Sequence, residues 1–218
     1  MDEGADRAVS GASDPPRNGQ VAVRRTDGGG LSPVPRPLHH PSDGPPPRSG
    51  EDLVRVVIGV DPPAGENGTC GIVVAGLASD GLAYVLADAS AERARPERWA
   101  DAVARAAELW RADRVIAEAN QGGAMVETVL RAVEQALPVK LRHASEAKGK
   151  RAEPVAALFE AGRARFAGSF PELEDQLCAL TPGGGYAGRG SPDRADAMVW
   201  AMSELMLGAR REPRIRSL

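Results

Sequence analysis

Val54–Ala87 reads VRVVIGVDPPAGENGTCGIVVAGLASDGLAYVLA, and this stretch decides the fold. Val54 to Val60 is rich in β-branched residues and runs straight into Asp61. An apolar run that short and that branched is a buried strand. Asp61-Pro62-Pro63-Ala64-Gly65-Glu66-Asn67-Gly68 is turn chemistry. Cys70 to Leu77 reads as a second strand, Ser79-Asp80-Gly81 as a tight turn, and Leu82 to Ala87 as a third strand. The stretch is therefore an antiparallel three-stranded meander.

Downstream the period changes. Pro96 fits a first helical turn, and Trp99, Val103, Ala106, Ala107 and Trp110 follow at helical spacing. Arg114 to Ala117 predicts a fourth strand that delivers Glu118 at its end. Met125, Val126, Val129, Leu130 and Val133 mark a second helix, and Pro138 to His143 a fifth strand. A basic stretch with Lys148, Lys150 and Arg151 leads into a helix carrying Val155, Leu158 and Phe159. Arg163 to Phe166 has the length of one short strand, and Pro171 to Leu180 reads as a short helix. Thr181 to Ser191 is a Gly-rich loop, and Pro192 opens a last helix through Asp196, Trp200 and Leu205. Hairpins first and crossovers afterwards imply an α/β fold. Its sheet is mixed and five-stranded, three antiparallel strands then two parallel ones, flanked by helices.

Upstream the chain changes character. Of the 218 residues, the first fifty hold half of the eighteen prolines and eight of the 25 glycines, and no aromatic residue except histidine precedes Tyr84. Such a segment cannot bury enough apolar surface to offset its ordering entropy. Residues 1–50 are expected to be a disordered tail or linker, residues 51–208 one domain, and residues 209–218 a basic flexible tail. The net charge of -3 and a sequence pI of about 5.7 exclude a histone-like, strongly basic protein. Cys70 and Cys178 are far apart, so neither a disulfide framework nor a zinc motif is expected. No apolar run approaches ~20 residues, and no basic segment followed by an apolar stretch opens the chain.

Four acids sit where acids are unusual. Asp61 ends the first strand and Glu118 the fourth. Asp193 and Asp196 lie one helical turn apart at the start of the last helix and share a face. A first strand and the first parallel crossover strand are commonly neighbours. Asp61 and Glu118 would then stand side by side, with the last helix laid against them and no basic residue to match. Such a cluster repels itself unless cations fill it. Mg²⁺ or Mn²⁺ are the natural partners for oxygen ligands, and two such ions ~4 Å apart hydrolyse phosphodiesters. Each acid alone also has a plainer role. Asp61 suits a turn, Glu118 a solvated strand end, and Asp193 the positive end of a helix dipole. Asp196, set between Ala195 and Ala197-Met198-Val199-Trp200, is the hardest to explain that way.

Six segments in this order resemble the nuclease domain of phage large terminase subunits, most of all those of prophages and gene-transfer-agent-like elements. They are VVIGVDPP (Val56–Pro63), CGIVVAG (Cys70–Gly76), VIAEANQGGAMV (Val115–Val126), RAEPVAALFEAGR (Arg151–Arg163), FPELEDQLCALTP (Phe170–Pro182) and SPDRADAMVWAMSEL (Ser191–Leu205). The resemblance spans about residues 54–207. It implies a ribonuclease H-like fold and metal-dependent cutting of concatemeric double-stranded DNA during packaging, in the host cytoplasm and transiently on the procapsid. By motif, Asp61 matches the first-strand acid and Glu118 the fourth-strand acid, and the final acid matches Asp193 or Asp196. In this reading Asp61 bridges two Mg²⁺ (or Mn²⁺) ions, and Glu118 and the Asp193/Asp196 pair hold one each. The partners it implies are double-stranded DNA, the portal, the small terminase subunit and an ATPase domain that is separate or missing.

Two departures accompany it. Large terminases carry an ATPase domain before the nuclease, and this chain has no G-x-x-x-x-G-K-[S/T]. The expectation is a nuclease-only protein, a truncated remnant or a piece that does not translocate DNA by itself. Asn67 also stands where relatives often place an acid. Lys148, Lys150, Arg151 and Arg189 are the candidate phosphate contacts, with Arg142 read as an ordinary solvated side chain and the three tryptophans as core. Two other functions fit the same residues. One is an inactive module that docks on packaging partners, and the other is a nuclease like Holliday-junction resolvases.

Overall fold

The computed structural model describes residues 53–208, apart from 64, 66, 67, 121, 122, 145–147, 182 and 184 and the side chains of Lys148 and Gly149. The expected tails, residues 1–50 and 209–218, lie outside the described residues. The described residues all fall within one compact unit.

The meander is β1 (Leu53–Asp61), β2 (Thr69–Ala78) and β3 (Ala83–Asp88), followed by a two-residue β4 (Ala91–Glu92). Then come α1 (Pro96–Trp110), β5 (Arg114–Glu118), α2 (Gly123–Val133), β6 (Val139–Arg142), α3 (Lys148–Glu160), β7 (Ala164–Phe166) and α4 (Pro171–Cys178). A two-stranded β8 (Leu180–Thr181) and β9 (Gly185–Tyr186) precede α5 (Asp193–Met202), which continues into a π-helical turn over Ser203–Leu207. The strand order is β6-β5-β1-β2-β3-β7, with β4 added to β2. The sheet thus has seven strands rather than five. β7 pairs parallel to β3, and β4 pairs antiparallel to β2. β7 is the short strand expected over Arg163–Phe166, whereas the two-residue β4 carries no periodicity and is a strand only through its tertiary pairing.

Alternation along the strands builds two cores. Val56, Ile58, Val60, Ile72, Val74, Val115 and Ala117 pack under Trp99 and Val103 of α1 and Val126 and Leu130 of α2. Val57, Val73, Val85 and Ile116 on the other face pack under α3, α4 and α5. Each fully buried Val or Ile side chain is worth about 1.5–3 kcal/mol relative to exposure, so both helix layers are fastened by the same strands.

Helix α5 sits closest to the sheet. A Cβ added at Gly59 would overlap the Ala197 carbonyl and stand 2.9 Å from the Ala201 nitrogen. One added at Gly71 would overlap the Asp193 carbonyl and stand 3.0 Å from the Arg194 nitrogen. No side chain can yield there, because the neighbour is helix backbone. Gly59→Ala should therefore destabilise the domain by about 3 kcal/mol, the upper end for overpacking, read as a lower urea midpoint at unchanged slope. A wild-type midpoint would mean that the helix does not rest on Gly59.

Candidate active site

The first parallel pairing sets the geometry. Val60 of β1 is partnered with Ala117 of β5, so Asp61 and Glu118 follow at the ends of neighbouring strands. Both share strand parity with Val57 and Ile116, whose side chains pack toward α5. Asp61 also pairs across β2 with Gly71, the residue on which the first turn of α5 rests. Asp61, Asp193 and Asp196 are 5%, 8% and 3% exposed. Burial pushes the Cys70 thiol well above its usual range, and the negative charges of Asp61 and Asp193 push it further. The expected side-by-side strands and the helix laid against them are all present.

The start of α5 is held from outside the helix. Pro192 at its N-cap supplies no capping side chain. Gln176 of α4 takes that place, its Oε1 accepting from the backbone N–H of Arg194 at 2.9 Å and of Ala195 at 3.1 Å. The Arg194 side chain is buried and reaches Asp88 at 2.9 Å and Glu92 at 2.8 Å. These contacts fix the turn that carries Asp193 and Asp196.

The acids do have a basic residue to match. Arg151 of α3 donates from Nη2 to Asp196 Oδ1 at 3.2 Å, and its Nη1 lies 3.6 Å from Glu118 Oε2. Its guanidinium stacks 4.5 Å over the Trp200 ring, a cation–π contact. Trp200 in turn donates its ring N–H to Glu118 Oε2 at 3.0 Å. Trp200 is thus a wall of the site rather than plain core, and Arg151 is largely covered, its side chain 10% exposed against the carboxylates. Lys150 and Arg189 are exposed, and the Lys148 side chain lies outside the described residues. Among the described residues no three of His, Cys, Asp and Glu converge in a metal-holding group. The donor set is carboxylate oxygen throughout, which suits a hard divalent cation, while the placement of Glu118 and Asp196 is adapted to Arg151.

A cleft of about 280 Å³ opens beside this pair, lined among others by Arg142, His143, Arg151, Trp200 and Glu204. Glu204 in the π-helical turn was not anticipated. Gly208 donates to the Ser203 carbonyl five residues back at 2.7 Å, and this wider turn carries Glu204 inward. The carboxylate is 6% exposed and meets Arg114 at 2.5 Å, Arg142 at 3.0 Å, Lys140 at 3.2 Å and Arg55 at 3.7 Å. Burial alone would raise its pKa. Hydrogen bonds from Arg142, Arg114 and Lys140 outweigh that and hold it at about 2. Arg142 is accordingly an ion-pair partner, not a merely solvated side chain. A sequence signal existed: Asp196, Trp200 and Glu204 recur every fourth residue and share one helix face.

The family model described as "Terminase RNaseH-like domain" matches residues 58–205. The large terminase nuclease from thermophilic phage G20c is similar at 19% identity, over 69% of this chain and 82% of that one, with a TM-score of 0.54. The P22 large terminase nuclease domain is similar at 14% identity over 72% and 82%, with a TM-score of 0.55. The large terminase from thermophilic bacteriophage D6E is similar at 13% identity over 75% of this chain and 42% of that one, with a TM-score of 0.57. At such identities the likeness is one of fold. The G20c nuclease has also been solved with bound cobalt, magnesium and zinc. No curated protein matches the sequence.

Glu204 makes the domain acid-sensitive in a defined window. Its folded pKa is held below the ordinary value, so its stabilisation is complete above about pH 4.5 and is lost as pH falls toward about 2. Glu204→Gln should cost about 3 kcal/mol at pH 7, the scale for breaking a buried pair. The gap to wild type in denaturant unfolding should close between those two pH values. A gap that stays constant through that range would show that Glu204 is not the titrating group.

Proposed function

The chain belongs to the terminase RNaseH-like domain family, and on that premise we propose that it is a divalent-metal-dependent endonuclease cutting double-stranded DNA in viral packaging. The observation that carries this reading is that Asp61 and Glu118 end two paired parallel strands while Asp193 and Asp196 stand on the buried first turn of α5, whose backbone rests on β2. In this reading those four residues hold Mg²⁺ or Mn²⁺, as hard cations favour all-oxygen sites. The bound ions supply nucleophile activation and charge stabilisation at the phosphodiester. The magnesium-bound structure of the phage G20c nuclease supports the choice of cation. The protein works in the host cytoplasm at the procapsid, with the portal, the small terminase subunit and an ATPase as its packaging partners.

The chain's own residues have distinct tasks. Trp200 orients Glu118 through its ring N–H. Arg151 neutralises Glu118 and Asp196 in the metal-free protein and so keeps buried like charges from repelling one another. Among the described residues its Nε and Nη1 have no hydrogen-bond acceptor, Nη1 meeting Glu118 only as an ion pair at 3.6 Å, so the pairing there is incomplete. When Arg151 leaves Asp196, its planar fork is free to meet a phosphate. Lys148, Lys150 and Arg189 add phosphate contacts around it.

Asp61→Asn keeps the shape and removes one charge. Plasmid cleavage in Mg²⁺ or Mn²⁺ should fall at least ~100-fold, the scale of a misplaced catalytic group, while duplex binding in EDTA stays near wild type. Persistent cutting by that variant rejects the site. Arg151→Gln should lower the melting temperature in EDTA, on the order of 5 °C for ~2 kcal/mol, and should gain more from added Mg²⁺ than wild type does. Equal Mg²⁺ gains in the two proteins would show that Arg151 does not stand in for the metal.

A further inference from the structure

The four cations around Glu204 exceed what one carboxylate needs. A single guanidinium neutralises it, yet among the described residues Arg55, Arg114, Lys140 and Arg142 all converge, three positive charges more than Glu204 balances. Glu204 is 6% exposed, whereas the four cations keep 36–44% of their side chains at the surface. Their placement is not scattered. Arg114 shares strand parity with Glu118, and Arg55 with Asp61. Lys140 and Arg142 are in register with Ile116 and Glu118. All four therefore stand on the α5 side of the sheet, with Arg142 immediately across from Glu118. The cationic heads gather around Glu204, and the strip continues from them along β1 and β5 to Asp61 and Glu118 at the strand ends.

We infer that this strip is a binding track for the phosphate backbone of duplex DNA, leading it past Glu204 to the carboxylates. The inference rests on the nuclease reading above and adds the path that the substrate takes. Arg142 lines the cleft next to Arg151, so the track is continuous with the candidate site. Arginine keeps several N–H donors beyond those spent on Glu204, and a second anion can use them. Glu204 is a positioning residue: buried and ionised, it holds long, flexible cations in place before the DNA arrives. None of these four cations belongs to the basic stretch around Lys148.

The test is duplex binding by the full chain in EDTA, followed by fluorescence anisotropy of a labelled 20-base-pair duplex across a salt series. Lys140→Gln/Arg142→Gln should weaken binding about tenfold near 0.1 M salt and reduce the slope of log K against log salt by about two. The charge-matched control is Arg98→Gln/Arg105→Gln on the exposed side of α1, across the sheet. It should leave the slope unchanged. An unchanged slope in the first pair overturns the inference, as does an equal fall in both pairs, which would report net charge only. If the first pair does not fold, Lys140→Gln alone must lower the slope by about one, or the inference fails. Wild-type protein that binds no duplex would defeat the nuclease reading itself, whereas binding with the wrong slope defeats only the track.

Discussion

Backbone touching backbone is the constraint on which this domain depends. Helix α5 touches the backbone of β1 and β2 at Gly59 and Gly71, which have no side chain to interpose. The helix answers with small residues of its own, Ala195, Ala197 and Ala201, all essentially buried. Close approach brings the first turn of α5 down to the level of the strand ends. Asp193 and Asp196 cannot turn out to solvent from there, and they are pressed toward the same end of the sheet as Asp61. A bulkier contact would lift the helix and with it the carboxylates.

Burying charge on that face has consequences that the structure meets in three ways. Arg194 is closed off by Asp88 and Glu92, a structural pair that anchors the helix start to β3 and β4. Arg151 bridges Glu118 and Asp196 with part of its donor capacity unspent. Glu204 is surrounded by more cations than it can neutralise. A buried ion pair contributes little net stability over an apolar substitute. The closed pair therefore reads as architecture, and the other two are the ones on which the proposed function draws. The sign differs at the two: carboxylates share one arginine at the strand ends, and cations share one carboxylate beside β6. In the proposed reading a metal ion enters the first and a phosphate backbone the second.

Much of this was legible in the chain. The branched run of Val54–Val60, the hairpin turn at Ser79-Asp80-Gly81 and the helical stripe from Trp99 place β1 to β3 and α1 to within a residue or two. Asp61, Glu118, Asp193 and Asp196 stood out because acids interrupt apolar segments there. The role of Glu204 was harder to see, although its fourfold spacing from Trp200 and Asp196 marked the face it occupies. The two-residue β4 left no pattern at all, and β7 was legible only as a short strand over Arg163–Phe166 with nothing local to pair it with β3.

Sequence by itself determined the order and type of the elements, the two apolar faces of the sheet and the acids at its edge. All of these follow from local periodicity and from where polar residues break it. Tertiary structure alone decided which side chains meet those acids. Trp200 reaches Glu118 and Arg114 reaches Glu204 across 82 and 90 residues of chain. No local spacing encodes such pairs. They exist because two glycines let one helix descend onto the sheet, and the charges brought inside then had to find partners within reach.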